Sequence, residues 1–245
     1  MAEERVQKIL ARSGFGSRRN SETLISQGRV KVNGKIIKLG DKADPQKDQI
    51  TVDEHPIQIQ NSLVYIALYK PRGILSAAKS PEGRQTVCDL VALPVRLYPV
   101  GRLDVDSEGL IILTNDGELT NRITHPRFEH EKEYRVLVAR KPDEDQLNAW
   151  RRGIILTDGY KTQPAEVKID SIVGKGAWLR VILREGRKRQ IRETGSLLGL
   201  PVVRIIRTRI GEVQLGNMKP RQWRHLTQAE IASLNKKQLL IKKPT

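Results

Sequence analysis

The residues best suited to chemistry lie in the run Gly101-Arg102-Leu103-Asp104-Val105-Asp106-Ser107-Glu108-Gly109-Leu110. Asp104 follows an apolar residue, and the strand-forming run Ile111-Ile112-Leu113 comes shortly after it. A carboxylate on a loop between two buried segments can act as a nucleophile or a general base. A lone Asp in a turn is more often an ordinary hydrogen-bonding residue. The next four residues, Thr114-Asn115-Asp116-Gly117, predict a tight reversal with positive φ angles.

Two further segments carry side chains that could act with Asp104. The alternating pattern over residues 131–138 predicts a strand with Tyr134 on its apolar face, where an aromatic ring is normally part of the core. The run Glu185-Gly186-Arg187-Lys188-Arg189-Gln190-Ile191-Arg192 is the most basic part of the chain. Taken alone, it is compatible with any phosphate-binding turn.

Together these motifs resemble the pseudouridine synthases, and within them the branch that modifies ribosomal RNA and carries an N-terminal S-four-like module. That family reads Gly-Arg-Leu-Asp, then Gly-Leu, an apolar strand and Thr-Asn-Asp-Gly, as at residues 101–117. Its second motif, Glu-Lys-x-Tyr, matches residues 131–134, and its third, Glu-Gly-Arg-x-x-Gln-Val-Arg, matches residues 185–192. The resemblance extends from about residue 5 to residue 235 and includes Tyr69-Lys70-Pro71-Arg72-Gly73, the usual opening of the synthase domain.

The chain departs from the family after Arg192, where Glu193-Thr194-Gly195 replaces the usual Arg-Met-Phe continuation. Gly195 inside a helix should weaken that helix by up to about 1 kcal/mol relative to Ala. The departure concerns the packing of the helix that follows Arg192.

The resemblance implies a role for each site residue. Asp104 would be the ionised carboxylate, with Arg192 beside it to favour the charged form. Tyr134 would stack on the flipped uracil, and its hydroxyl would help remove the proton from the base carbon. Arg102 would fill the space that the flipped nucleotide leaves. The basic run, with Arg187 and Arg189, would hold the RNA backbone.

Isomerising uridine oxidises nothing and transfers no group to water, so this chemistry requires neither a cofactor nor a metal. Asp104 could attack the sugar, attack the base or abstract a sugar proton, and the sequence leaves these routes open. A hydrolase that uses Asp104 and Asp106 as paired carboxylates is a weaker hypothesis, because residues i and i+2 of an extended chain point to opposite faces. The alternative from another class is a non-catalytic, ribosome-associated RNA-binding protein on a synthase scaffold.

The target that the resemblance implies is ribosomal RNA with a flipped uridine. The run Gly-Arg-Lys-Arg-Gln-Ile-Arg at 186–192 is closer to the large-subunit members of the family. The small-subunit branch tends to have Tyr-His there and a Lys in place of the last Arg. The sequence therefore favours large-subunit RNA.

Residues 3–60 are predicted to form a small S-four-like RNA-binding domain. Val6, Ile9 and Leu10 have helical spacing, Ser17 is a suitable N-cap for a second helix, and residues 29–36 predict a hairpin with an Asn-Gly turn. Further strands are predicted at 50–52 and 57–59. A solvated charged face is the alternative to an RNA-binding face, whose candidate residues are Arg18, Arg19, Arg29, Lys31 and Lys35.

The polar residues 58–62 are predicted to form a linker, and residues 63–240 are predicted to form the synthase domain. Its pattern predicts an α+β fold, with a mostly antiparallel mixed sheet flanked by helices. We predict strands at 63–68, 154–156, 165–169 and 178–183, and helices near 87–93, 118–123 and 144–152. Lys70 and Arg72 are equally suited to touching RNA or to solvating a turn, and Cys88 is predicted to be a buried apolar residue.

The composition excludes several classes of protein. The 245 residues carry 44 basic and 28 acidic side chains, a net charge of +16, which predicts a polyanionic partner. Nucleic acid fits better than an anionic membrane surface, since the chain lacks a convincing basic amphipathic helix. No apolar run approaches the roughly 18 residues of a membrane span. A lone Cys and the absence of paired His ligands predict neither a disulfide nor a metal site. We expect a cytoplasmic monomer.

Overall fold

The computed structural model describes residues 3–58, 62–125, 128 and 130–235. The chain divides into two compact units, of which the first ends at Leu63 and the second begins at Val64. Residues 59–61 of the predicted linker, Ile59 of a predicted strand and the basic tail at 242–245 lie outside the described residues. So do residues 60 and 240, the ends of the predicted domains.

The N-terminal unit packs two helices against short strands. Its elements are β1 (Glu4–Arg5), α1 (Val6–Arg12), α2 (Arg18–Ser26), β2 (Val30–Val32), β3 (Lys35–Ile36), β4 (Lys42–Ala43), β5 (Ile50–Val52) and β6 (His55–Pro56). Strands β3-β2-β5-β6 form an antiparallel sheet, and β1 pairs with β4. Ser17 caps α2 by accepting the amide hydrogen of Asn20, and Val6, Ile9 and Leu10 are buried, as the pattern predicted.

One prediction for this unit was wrong. The strand expected at 57–59 is instead β6, at His55–Pro56. Asp53 and Glu54 take positive φ angles of 50° and 67°, so the chain reverses immediately after β5. Sequence periodicity did not reveal this turn, because neither residue is a glycine.

The C-terminal unit is built on one large sheet. Its strands are β7 (Tyr65–Lys70), β8 (Tyr98–Val100), β9 (Glu108–Thr114), β10 (Lys132–Val138), β11 (Glu166–Val173), β12 (Gly176–Leu183), β13 (Val202–Ile210), β14 (Val213–Gln214) and β15 (Trp223–His225). Its helices are α3 (Gly117–Thr124), α4 (Glu144–Arg152), α5 (Gln190–Leu197) and α6 (Gln228–Asn235). The strand order is β11-β12-β10-β13-β9-β7-β15, with β8 beside β9 and β14 beside β13. The predicted α+β class is confirmed.

The parallel contact between β9 and β13 joins the two halves of this sheet. Glu108 pairs with Ile206 and Gly109 with Arg207, whereas the other strand pairs of the sheet are antiparallel. Gly109 has a φ of 107°, and a Cβ built there would lie 2.3 Å from the carbonyl oxygen of Arg207. Glycine is therefore required where the two backbones approach.

The hydrophobic core of this unit consists of several clusters on the sheet, and at β7 and β9 it covers both faces. Tyr134, Val136 and Val138 of β10 share one face, as predicted, and pack with Trp150 of α4 and Ile191 of α5. The other half of the sheet packs its residues against α3 and α6 through a second cluster that includes Leu119 and Leu234. Helix α4 has the predicted bounds, because Asp143 and Gln146 form a capping box and Gly153 follows its last turn.

The segment Thr114–Gly117 differs from the prediction. Asn115, Asp116 and Gly117 are not among the residues with positive φ, and there is no tight reversal. Instead the Asp116 side chain accepts the amide hydrogens of Glu118 and Leu119 and caps α3. The same residue types favour helix N-caps as well as turns, so composition could not separate the two.

Other elements differ in extent. Strand β7 begins at Tyr65 and continues through Lys70, and the helix expected near 87–93 is a single 3₁₀ turn at Cys88–Leu90. Residues 154–156 form an isolated bridge, Ile155 to Lys161, instead of a strand. The Cys88 thiol donates to the carbonyl of Leu97, and burial raises its pKa to about 12.

Gly195 lies inside α5, where a lone glycine costs helix stability. A Cβ at this position would lie 2.6 Å from Cγ2 of Val202 and 2.7 Å from the carbonyl oxygen of Leu200. The departure from the family pattern therefore lets α5 pack closely on the segment that follows it.

Candidate active site

Lys70 anchors the backbone of residues 101–107, called here the Asp104 loop, from the protein interior. Lys70 is fully buried, and its Nζ donates to the carbonyl oxygens of Pro71 (3.1 Å), Asp104 (3.0 Å), Val105 (3.4 Å) and Ser107 (2.7 Å). Burial lowers the pKa of this ammonium group to about 8, although nearby carboxylates oppose the shift. Both predictions for Lys70, contact with RNA and solvation of a turn, were wrong, because its ammonium group is buried and donates hydrogen bonds to backbone carbonyls inside the protein.

Two other side chains hold the same loop. The Ser76 hydroxyl donates to the carbonyl of Leu103 (2.8 Å) and accepts the amide hydrogen of Leu103 (3.1 Å). Arg207 is buried and donates from Nε to the carbonyl of Leu110 (2.7 Å) and from Nη1 to that of Arg102 (3.5 Å). The backbone of the loop is therefore fixed from the interior, while the Asp104 side chain keeps 32% of its surface exposed.

The loop forms one wall of a cleft of about 330 Å³. The structure brings the predicted site residues of this unit together around the cleft, whose lining includes Arg102, Asp104, Tyr134, Arg187, Arg189 and Arg192. Tyr134 is 7% exposed and lies on β10, between Val181 of β12 and Arg207 of β13. Its ring can therefore serve both as core and as a platform in the cleft.

Two arginines lie beside the Asp104 loop in different ways. Arg189 forms the ion pair with Asp104, at 3.9 Å between Nη1 and Oδ2. Arg192 instead donates to the carbonyls of Asp106 and Val202, both at 3.3 Å. Burial and the charge of Arg189 lower the pKa of Arg192, while the carboxylates of Asp106 and Asp104 oppose the shift. Arg189 is thus the direct ionic partner, and Arg192 acts on Asp104 through a longer range.

Residues 185–189, called here the arginine loop, form the opposite rim. Glu185 is buried and accepts the Tyr160 hydroxyl (2.8 Å), the Gln163 amide (2.8 Å) and the Gln190 side chain (2.7 Å). Arg187 forms an ion pair with Asp158 at 2.6 Å and lies 3.8 Å above the Tyr160 ring. Arg187 therefore reaches the cleft with its charge already partly balanced at the surface.

The predicted RNA-binding residues of the N-terminal unit fall into two groups. Arg29 is paired with Asp53 and Lys31 with Glu54 at 2.6 Å, so part of that positive charge is neutralised. The remaining three candidates are exposed and have no ion pair with a described carboxylate: Arg18, Arg19 and Lys35. All five assignments stay predictions.

Sequence reasoning missed several buried polar residues around the site. Glu108 is 4% exposed and binds the Arg204 guanidinium at 2.6 Å and the Tyr69 hydroxyl at 3.2 Å. Hydrogen bonds from Arg204 hold the pKa of Glu108 below its usual value, although burial opposes them. Arg207 was missed in the same way, and Lys70 was singled out but given a surface role. The sequence signal that could have identified these residues is a charged side chain within an alternating β-strand pattern, at a position predicted to face the core.

In the described part of the chain, no group of three or more His, Cys, Asp or Glu side chains is placed to hold a metal ion. None of the described helices is long and apolar enough to span a membrane.

Comparison with known proteins identifies the family of the chain. The sequence profile of the RNA pseudouridylate synthase family matches residues 64–196, and that of the S4 domain matches residues 4–50. An uncharacterized RNA pseudouridine synthase of Aquifex aeolicus is 43% identical, over 96% of this chain and 95% of its own. The ribosomal large subunit pseudouridine synthase B of Bacillus subtilis is 40% identical, over 94% and 95%.

A solved structure described as a pseudouridylate synthase superposes with a TM-score of 0.67 at 32% identity, covering 94% of this chain and 99% of its own. The chain belongs to the RNA pseudouridylate synthase family. It is an isomerase that acts on RNA, and it carries an RNA-binding S4 domain. The resemblance noted from the sequence motifs is confirmed.

Proposed function

We propose that this protein converts a uridine of large-subunit ribosomal RNA to pseudouridine, with Asp104 as the reacting carboxylate. The observation that carries the proposal is the meeting of Asp104, Tyr134 and Arg189 in one cleft, on a loop fixed from inside. Relatives from Bacillus subtilis and Shigella flexneri are named ribosomal large subunit pseudouridine synthase B, at 40% and 41% identity.

The reaction breaks the bond between C1′ and N1, turns the base and forms a bond between C1′ and C5. The uridine leaves its stack, Tyr134 receives the face of the uracil, and Arg102 fills the space left behind. Arg189, with Arg192 behind it, stabilises the negative charge of Asp104, which meets the sugar or the base. The Tyr134 hydroxyl is a candidate to help move the C5 proton.

RNA binding in this proposal is mainly electrostatic. Arg187 and Arg189 hold phosphates at the rim of the cleft, and the exposed Arg18, Arg19 and Lys35 add affinity from the S4 domain, with Arg29 and Lys31 beside them. The proposal keeps the predicted domain bounds of 3–60 and 63–240, a monomeric protein and a cytoplasmic location. It uses no cofactor.

The experiment is pseudouridine mapping by carbodiimide modification and reverse transcription of ribosomal RNA. Cells lacking the gene are compared with cells that express the wild type, Asp104→Asn or the control Asp106→Asn, which changes an exposed carboxylate of the same loop. We expect one large-subunit site to return with the wild type and the control but not with Asp104→Asn.

Purified Asp104→Asn should bind RNA within a few fold of the wild type, because the change removes little phosphate-binding charge. A pseudouridine site that returns with Asp104→Asn would refute the assignment of the carboxylate. If no ribosomal site depends on the gene, the non-catalytic alternative or another RNA substrate replaces the proposal.

A further inference from the structure

Two cations lie beside Tyr134 on the floor of the cleft. Lys132 is two residues before Tyr134 on β10, so their side chains point to the same face of the sheet. Arg207 of β13 is directly opposite Tyr134 in the strand register. Lys132, Tyr134, Arg207 and Asp104 all line the cleft. The platform for the base is therefore flanked by two positive charges, the half-buried Lys132 and the buried Arg207.

Neither cation has an ionic partner among the described residues. Lys132 donates from Nζ to the carbonyl of His130 at 3.1 Å, and burial together with the charge of Arg207 lowers its pKa to about 8. Arg207 is 3% exposed, and its Nη2 has no hydrogen-bond partner in the described part of the chain. Buried charge without a counter-charge is costly, and such groups concentrate where a ligand supplies the missing charge.

We propose that Lys132 and Arg207 form a cationic floor that binds the carbonyl oxygens of the uracil and stabilises the negative charge that develops on this ring during the reaction. The inference rests on the proposed function and adds to it the groups that receive the departing base. Asp104 and the cationic floor then act on different partners, the first on the electron-poor sugar or the ring carbon and the second on the electron-rich oxygens.

The electron count supports this assignment for each route open to Asp104. If the carboxylate attacks C1′, the electron pair of the C1′–N1 bond moves to N1 and spreads onto O2 and O4. If it abstracts a C2′ proton, that C–H pair forms a C1′–C2′ double bond and the C1′–N1 pair again leaves with the uracil. If it attacks C6, the electrons of the C5–C6 double bond move toward O4.

In the third route the C1′–N1 bond then breaks with its electron pair left on N1. In every route C5 of the ring returns a pair by forming the C1′–C5 bond, and Asp104 is regenerated. Its bond to C1′ breaks as C5 attacks in the first route, it returns the proton to C2′ in the second, and its bond to C6 breaks as C5 loses its proton in the third. C5 then loses its proton, N1 gains one, and the substrate and product are isomers. No oxidant, reductant or other reactant is needed. Preorganised donors aimed at developing charge typically contribute 10²- to 10³-fold in rate.

Lys132 gives the cleaner test, because Arg207 also holds the Asp104 loop. For Lys132→Met we expect the single-turnover rate to fall about 100-fold, with RNA affinity within threefold and an unfolding free energy unchanged or raised. Lys132→Arg should recover part of the rate. The control is Lys168→Met, which removes an exposed cation of β11 and should leave the rate unchanged. A full rate for Lys132→Met, or a fall accompanied by lost stability, would overturn the inference.

A second measurement separates charge stabilisation from positioning. In RNA with 5-fluorouridine at the target, fluorine withdraws electrons, and the base carries negative charge more readily. The deficit of Lys132→Met, followed as loss of the nitrogen-linked nucleoside, should shrink from about 100-fold to about 10-fold. An equal deficit on both substrates would show that Lys132 only positions the base. Asp104→Asn is measured in parallel. If Asp104→Asn stays active, the proposed function is refuted. If Asp104→Asn is inactive and Lys132→Met is fully active, only the inference of the cationic floor is refuted.

Discussion

The two sides of the cleft are held in opposite ways. The Asp104 loop is fixed by buried groups, with Lys70 and Arg207 donating to its backbone from the interior. The arginine loop is anchored by the buried Glu185 and Gln190, and its arginines form surface pairs such as Arg187 with Asp158. Surface ion pairs contribute about 0–1 kcal/mol each, so RNA phosphates can replace them at little cost. The reacting carboxylate is thus preorganised, while the groups that bind RNA remain exchangeable.

The largest effect should follow from removing the interior cation of the Asp104 loop. Lys70→Met removes the ammonium group that four carbonyl oxygens share. The carbonyls of Asp104 and Val105 keep backbone donors, whereas those of Pro71 and Ser107 lose the Lys70 donor, and we expect the free energy of unfolding to fall by about 3–5 kcal/mol. Urea denaturation measures the loss, and the exposed Lys79→Met serves as the control, within about 0.5 kcal/mol of the wild type. Equal stability of the two variants would contradict the contrast between the loops.

Gly109→Ala should have the next largest effect. The new Cβ meets the Arg207 backbone at 2.3 Å and the φ angle is 107°, so overpacking and backbone strain together should cost about 3 kcal/mol. The matched control is Gly159→Ala, whose φ is also positive but whose Cβ meets nothing within 4 Å; about 1 kcal/mol is expected there. Thermal or urea unfolding of both variants tests the close approach, and similar losses would argue against it.

The pH dependence of stability should distinguish the cationic floor from the arginine loop. Lys132 has a pKa of about 8 in the fold and an ordinary value of 10.5 in the unfolded chain. Below pH 8 both states hold the proton, and the fold bears the full cost of burying it. Between pH 8 and 10.5 the unfolded chain holds a proton that the fold has released, so stability rises with pH.

Between pH 8 and 10.5 the free energy of unfolding of the wild type should therefore rise relative to that of Lys132→Met, by at most about 1.4 kcal/mol per pH unit. Urea unfolding of both proteins across the range measures the difference, in which the other titrating groups cancel. A flat or falling difference would mean that Lys132 does not titrate as a buried cation.

The smallest effects on stability are expected at the rim. Arg187→Gln should change the free energy of unfolding by less than about 1 kcal/mol. It should still weaken RNA binding several-fold and reduce the slope of log affinity against log salt by about 1. Its partner variant Asp158→Asn should be equally stable without losing affinity, because it frees Arg187. Loss of affinity in Asp158→Asn would show that the ion pair positions Arg187 for RNA.

Local chemistry let the sequence predict many elements. The cap at Ser17, the hairpin with its Asn33-Gly34 turn and helix α4 all appear where the pattern predicted them. Each depends on contacts between residues close in sequence. The motifs also located the residues that meet in the cleft, because each matched segment carries its functional side chain at a fixed spacing.

The rest depends on contacts between distant residues. Lys70 meets carbonyls 34 to 37 residues further along, and its sequence neighbours, Pro71 and Gly73, suggested an exposed turn. The ion pair of Asp104 is with Arg189 and not with Arg192, and it joins residues 85 positions apart. Arg189 also has a left-handed backbone, with a φ of 55°, at a position where the sequence has no glycine to indicate it. Gly195 was predicted to weaken a helix, and its packing against Val202 became visible only in three dimensions.

The parallel contact between β9 and β13 also has a consequence for the synthesis of the chain on the ribosome. Asp104 precedes β9, whereas Tyr134 and the arginine loop belong to the part of the chain that ends with β13, and Arg207 is 97 residues beyond the Leu110 carbonyl that it binds. At about 5–20 residues per second, a ribosome needs roughly 5–20 s to synthesise that interval. A nascent chain therefore carries its reacting carboxylate for many seconds before the strand that closes the cleft exists, and we expect it to gain activity only near the end of its own translation.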